Sequence, residues 1–145
     1  AFDLEEEYCL NHCLDLFTRP QREGSQSVQC PNCKEDTEVI IKREMKKLPE
    51  TLIIYFNNQQ PGRIKTINIP HKLNLEEYVP NNLKDQASYA LNGVCCRRNS
   101  TSTAYAKNLL DKKWYKFNDL EVAESPVHAS DVRNESVYLI FYNRV

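Results

Sequence analysis

Tyr89-Ala90-Leu91-Asn92-Gly93-Val94-Cys95-Cys96-Arg97-Arg98-Asn99-Ser100-Thr101-Ser102-Thr103-Ala104-Tyr105-Ala106-Lys107-Asn108 holds two runs of β-forming residues, 88–97 and 102–108, joined by a polar segment. In the first run the adjacent Cys95 and Cys96 fall on opposite faces of the expected strand. Trp114 to Phe117 predicts a third strand, and Ser136-Val137-Tyr138-Leu139-Ile140-Phe141-Tyr142 a closing one. Upstream, Thr37 to Lys47 and Thr51 to Asn57 are β-rich. The apolar run Leu52-Ile53-Ile54-Tyr55-Phe56 reads as a strand covered on both faces. Gln60-Pro61-Gly62 signals a turn, and Arg63 to Ile69 adds β-formers before Pro70 stops them. Leu73 to Tyr78 reads as a short helical or irregular connection, and Pro80 to Gln86 as loop. At the other end Leu10, Cys13, Leu14 and Phe17 recur at i, i+3, i+4, i+7, one face of an amphipathic helix that Pro20 ends. Glu5, Glu6 and Glu7 favour its N-terminal dipole. The expected fold is α+β, mainly an antiparallel sheet with one N-terminal amphipathic helix, in a single domain over 1–145.

Composition excludes little but excludes it clearly. With 145 residues, 41% hydrophobic and 27% charged, the chain can bury a core of its own. A net charge of -1 gives no electrostatic reason to expect nucleic acid or a membrane as partner. No apolar run reaches the roughly 18 residues that span a bilayer, and no signal segment opens the sequence. Cytosol or nucleus is the expected location, with the six cysteines as thiols rather than disulfides.

Several ordered motifs carry a resemblance. Thr103-Ala104-Tyr105-Ala106-Lys107-Asn108 is followed by Trp114-Tyr115-Lys116-Phe117-Asn118-Asp119 and by Val137-Tyr138-Leu139-Ile140-Phe141-Tyr142. Before them stand Cys13-Leu14-Asp15-Leu16-Phe17, Leu48-Pro49-Glu50-Thr51-Leu52-Ile53-Ile54, and Leu73 to Tyr78. Together they resemble the C-terminal half of the catalytic domain of the ubiquitin-specific proteases, its palm and fingers portion. The resemblance implies a papain-like fold, a ubiquitin or ubiquitin-like partner, and an N-terminal half that carries the nucleophilic cysteine. In that family the half seen here packs against the other. The chain by itself is therefore expected to expose an apolar strip and to self-associate or take a companion segment.

The resemblance also points to what is altered. The family places Gly-His-Tyr before Thr-Ala-Tyr, and this chain has Ser100-Thr101-Ser102 there. A cysteine protease needs a base that titrates near neutrality and an Asn or Asp to orient it. Thr101 stands where the histidine should be and has no basic site near pH 7. Asn118 occupies the orienting position, with Asp119 beside it. Nothing among the 145 residues resembles the family's cysteine box. His12, His71 and His128 are better read as surface or satisfied residues than as substitutes. The loop 97–102 also lacks the family's glycines, and Asn57-Asn58-Gln59 replaces the usual continuation of the 51–56 strand. The expected function is a ubiquitin- or partner-binding module without activity as it stands. One alternative is half of a working deubiquitinase whose nucleophile lies on another segment, and a second is an assembly scaffold.

Cys30-Pro31-Asn32-Cys33 is a turn that can aim two thiolates at one metal. It supplies half of a four-coordinate zinc site. Cys9, His12 and Cys13 offer one completion, although Cys13 falls on the apolar helix face. The resemblance implies another, a second C-x-x-C upstream.

Overall fold

The computed structural model describes residues 8–22, 28–56, 67–98, 100–118, 121–123, 126–127 and 136–145. Glu5 to Glu7, residues 57–66, Asp119 and His128 lie outside the described residues, and the expectations placed on them are not taken further.

A seven-stranded antiparallel sheet organises the chain. Its strands are β6 (Thr51–Tyr55), β8 (Lys72–Asn74), β9 (Ser88–Arg98), β10 (Thr101–Lys107), β11 (Trp114–Asn118), β12 (Glu121–Val122) and β13 (Val137–Arg144). The order across the sheet is β12-β11-β10-β9-β13-β6, with β8 pairing β9 beside its first residues. Smaller pairs frame it: β1 (Tyr8–Cys9) runs parallel to β7 (Ile67–Asn68), β2 (Gln21–Arg22) meets β5 (Ile40–Ile41), and β3 (Val28–Gln29) meets β4 (Asp36–Thr37). Helix α1 (Leu10–Thr18) is capped by Cys9, whose sulfur accepts the His12 N–H. The 88–97 and 102–108 runs thus become β9 and β10, each with its register set by a shared hairpin (Ala104 opposite Cys95, Tyr105 opposite Val94).

Because paired residues in an antiparallel sheet share a face, the register sorts every side chain. One face carries Leu52, Ile54, Ile140, Tyr142, Val94, Cys96, Tyr105 and Trp114, and it is covered by Leu10 and Leu14 of α1 with Leu48, Leu73, Leu75 and Val79. The other face carries Ile53, Tyr55, Phe141, Leu139, Cys95, Ala104, Ala106, Tyr115 and Phe117. Ile53 and Tyr55 are 56% and 64% exposed. The expectation that residues 52–56 form a strand covered on both faces is therefore corrected: β6 alternates, and only Leu52 and Ile54 turn inward. β6 ends the strand order and has a single partner among the described residues, β13, so nothing there requires its outer face to be dry. The expected self-association would bury this half-open face. Light scattering should show mass rising with concentration, and a clean monomer at high concentration would count against it.

Two further differences concern the connections. Residues 73–78 begin as β8 and end in a 3-10 turn, Glu76–Tyr78, while 81–86 form a second 3-10 turn where loop was expected. Phe17 is exposed beneath the Arg43 guanidinium, 5.6 Å from its ring centre, so the apolar stripe of α1 is anchored by Leu10 and Leu14 alone.

Three phenols pin these parts to the sheet. Tyr89 donates to the Pro49 carbonyl at 2.6 Å, Tyr142 to the Pro70 carbonyl at 2.7 Å, and Tyr78 to Asp15 Oδ1 at 2.8 Å. Burial raises all three above the ordinary tyrosine value. Tyr78 is pushed up to about 12, with Asp15 adding to the effect of desolvation. Up to pH about 10 these phenols are neutral in folded and unfolded chains alike, and their stabilisation is complete. Above it the unfolded chain ionises first, so stability is lost as pH climbs toward the folded values. Tyrosinate absorbance should accordingly rise in two stages, the second together with loss of circular dichroism. A single stage with the fold intact would contradict this.

Candidate functional site

The β9–β10 and β10–β11 hairpins bring Thr101 and Asn118 to the same end of neighbouring strands. Thr101 is the first residue of β10 and is exposed, paired with Arg98 across the β9–β10 turn. Asn118 is the last residue of β11 and lies opposite Thr103. The Thr103 hydroxyl donates to Asn118 Oδ1 at 3.2 Å. The Asn118 carboxamide, expected to stand at an orienting position, is thus engaged by Thr103, two residues beyond Thr101. Nothing in the sequence marks this bond, because it follows from the strand register. Thr101 and Thr103 share the face that bears Tyr105, so the site sits at the rim of the covered core.

His71 is held away from this end. His71 sets its ring edge-on to Trp114, 6.3 Å between centroids. Trp114 lies at the other end of β11, four residues from Asn118, which at strand rise is about 13 Å. His12 is on α1, which packs against β1 and the Glu76–Tyr78 turn. A hydroxyl and a carboxamide can form hydrogen bonds here, but neither can relay a proton at neutral pH. The arrangement can hold a polar backbone or tail; among the described residues no base joins it.

The second candidate is the turn between β3 and β4. Cys30 N–H donates to the Glu35 carbonyl and Lys34 N–H to the Cys30 carbonyl, both at 2.9 Å, with Lys34 at φ 62°. The Gln29 carboxamide closes the turn on the Lys34 carbonyl at 2.9 Å. Backbone N–H groups of Cys33 and Asn32 point at the Cys30 sulfur and lower its pKa from the ordinary thiol value, helped by the Cys33 thiol. A turn that stabilises a thiolate beside a second thiol fits half of a zinc site. Among the described residues no third His, Cys, Asp or Glu joins it. Cys9 caps α1 and Cys13 lies on it, where burial and the nearby Cys9 raise the Cys13 thiol.

Comparison with known proteins agrees with this frame. The ubiquitin carboxyl-terminal hydrolase family matches residues 15–142. The chain is 33% identical to ubiquitin carboxyl-terminal hydrolase 10 of Arabidopsis thaliana over 97% of its own length and 16% of that protein. It is 30% identical to ubiquitin carboxyl-terminal hydrolase 2 of Bos taurus over 94% of its length and 24% of that protein. It therefore spans about a sixth to a quarter of these curated relatives. In fold it matches Ubp8 in a SAGA DUB module with Sgf11, Sus1 and Sgf73 bound to monoubiquitin, with TM-score 0.77 and 23% identity over 99% of this chain and 34% of that one. A yeast SAGA DUB module carrying an Sgf73 substitution gives TM-score 0.75 and 24% identity, over 99% and 34%.

Proposed function

This chain belongs to the ubiquitin carboxyl-terminal hydrolase family, and from that premise we propose that it is a ubiquitin- or partner-protein-binding module, catalytically silent as it stands. One observation supports the reading: Thr101, read from the resemblance as standing in the base's position, is exposed, and Asn118 is hydrogen-bonded to Thr103. The rest of the frame is kept. Strands β9 to β11 and β13 hold the motifs in register, which is what a binding surface needs and a proton relay by itself does not.

Two measurements test it. A ubiquitin with a C-terminal fluorogenic amide should not be cleaved by the chain, and labelled ubiquitin titrated with it should show localised chemical-shift changes. Cleavage would overturn the silence, and no shift at high concentration would leave the assembly scaffold as the better reading. The intact Asn118 favours one second reading, in which this chain is the C-terminal half of a protease whose cysteine lies on another segment.

Cys30 and Cys33 are proposed as two thiolate ligands to a structural zinc, the remaining ligands coming from outside the described residues. The Lewis acid would be tied to folding of the β3–β4 turn and not to chemistry. Purified protein should then contain zinc that Cys33→Ser abolishes, with local loss of amide protection in 28–37. Protein free of stoichiometric metal would remove the knuckle from the account. A cytosolic or nuclear location is proposed with it, supported by the reading of the cysteines as thiols. Among the described residues no helix is long and apolar enough to cross a membrane.

A further inference from the structure

The β10–β11 hairpin ends, at the extremity remote from Thr103 and Asn118, in a tip that lifts two leucines into solvent. Leu109 is 61% exposed and Leu110 94%. The tip is constructed rather than slack. Asn108 N–H donates to the Lys113 carbonyl at 2.9 Å and Lys112 N–H returns to the Asn108 carbonyl at 3.0 Å, with Lys112 at φ 60°. Asn108 Oδ1 accepts the Leu110 N–H at 2.8 Å. Asp111 Oδ1 accepts the Lys113 N–H at 2.9 Å, and Asp111 Oδ2 accepts the Tyr115 hydroxyl at 2.7 Å. Both oxygens of the tip's only acid are thus engaged within the loop.

Lys107, Lys112 and Lys113 flank the leucines, the last two exposed. The whole chain has a net charge of -1, yet here three lysines stand against one aspartate. Salt screens charges beyond about 8–10 Å, so a surface meeting this apex senses the local excess and not the total. Whole-chain charge gave no reason to expect an anionic surface; the local distribution does.

We propose that this tip is a peripheral contact for an anionic lipid bilayer, with Leu109 and Leu110 entering the headgroup–acyl boundary and Lys107, Lys112 and Lys113 meeting lipid phosphates and carboxylates. A convex pair of leucines asks no shape of a bilayer, whereas a protein pocket would have to supply a matching concavity. Basic residues beside apolar ones act together at such an interface, the lysine stems lying along apolar surface while the ammonium groups stay in water. The contact is weak and reversible, since two side chains enter. It also leaves the Thr103–Asn118 end free.

Co-sedimentation of the chain with vesicles tests the proposal, using phosphatidylcholine alone and phosphatidylcholine with about a quarter phosphatidylserine. Binding is expected to the serine-containing vesicles, roughly tenfold above the neutral ones, and to weaken as salt is raised. Leu109→Ser with Leu110→Ser, and separately Lys112→Glu with Lys113→Glu, should each cut it about tenfold without altering circular dichroism, because all four side chains are exposed. Binding that ignores either double variant, or equal binding to both vesicle types, overturns the proposal. So does no binding at all, the result expected of a tip that serves a protein pocket.

Discussion

Ile140→Ala is expected to cost about 2–5 kcal/mol of folding stability, and Ile53→Ala less than about 1. Both residues are isoleucines, in adjacent antiparallel strands, yet the register puts them on opposite faces (Ile140 opposite Ile54, Ile53 opposite Phe141). Ile140 is fully buried among the core residues and Ile53 is mostly exposed. Truncating Ile140 therefore removes apolar burial and leaves a cavity between the sheet and the residues that cover it. Truncating Ile53 returns to water a group already half in it. A domain of this size has about 5–15 kcal/mol in total, so the first variant should unfold at much lower urea and the second near wild type. The measurement is a urea titration of each variant by fluorescence of Trp114, which is buried. Equal losses would show that both faces are covered, as the apolar run in β6 first suggested.

That contrast shows where sequence and structure part. The long strands were legible because runs of five or more β-forming residues stand out locally: β9, β10, β11 and β13 fall within one or two residues of their expected bounds. Thr51–Tyr55 was legible as a strand but not as an edge. Five apolar residues look alike whether two neighbours cover them or one, and sheet order is decided by chain segments far away. Of the two-residue strands, β5 and β7 fall inside the β-rich segments 37–47 and 63–69, but their partners were not legible. β1 against β7 joins residues nearly sixty positions apart, and no local preference records such a contact. The 3-10 turn at 76–78 was left open because Leu75 is buried by tertiary packing and not by helical periodicity. Of the candidate site, Thr101 and Asn118 were singled out by the family pattern, and the structure puts them at one end of neighbouring strands. The Thr103–Asn118 bond was not, since one residue more or less in the β10–β11 turn would change which residue faces the carboxamide. Leu109 and Leu110 were passed over for a simpler reason: two apolar residues in a turn carry no period.

The largest effect on chemistry is expected at Thr101. If the missing element is the base, supplying it should matter only where a cysteine is also present. Thr101→Ala and Thr101→His in this chain by itself should both leave ubiquitin amide hydrolysis at background. Joined to the cysteine-bearing half of the Bos taurus relative, the chain with Thr101 should remain slow. Thr101→His in that fusion should raise kcat/KM by about 10²–10⁴-fold, the usual contribution of a positioned general base. The gain should follow a rising pH profile near 6 to 7, where imidazole loses its proton and becomes a base. Asn118 gives a second reading of the same geometry. With histidine at 101, Asn118→Ala should cost a further loss, because the ring is no longer oriented; with threonine there it should cost almost nothing. Thr103→Val enters the same cycle, since it frees the Asn118 carboxamide from the 3.2 Å bond that now holds it. If histidine at 101 gains more when Thr103 is valine, that bond competes with the catalytic geometry. A fusion bearing Thr101 that already cleaves as fast as its histidine variant, with folding verified by near-ultraviolet circular dichroism, would mean that another group serves as base and that the silent reading is wrong.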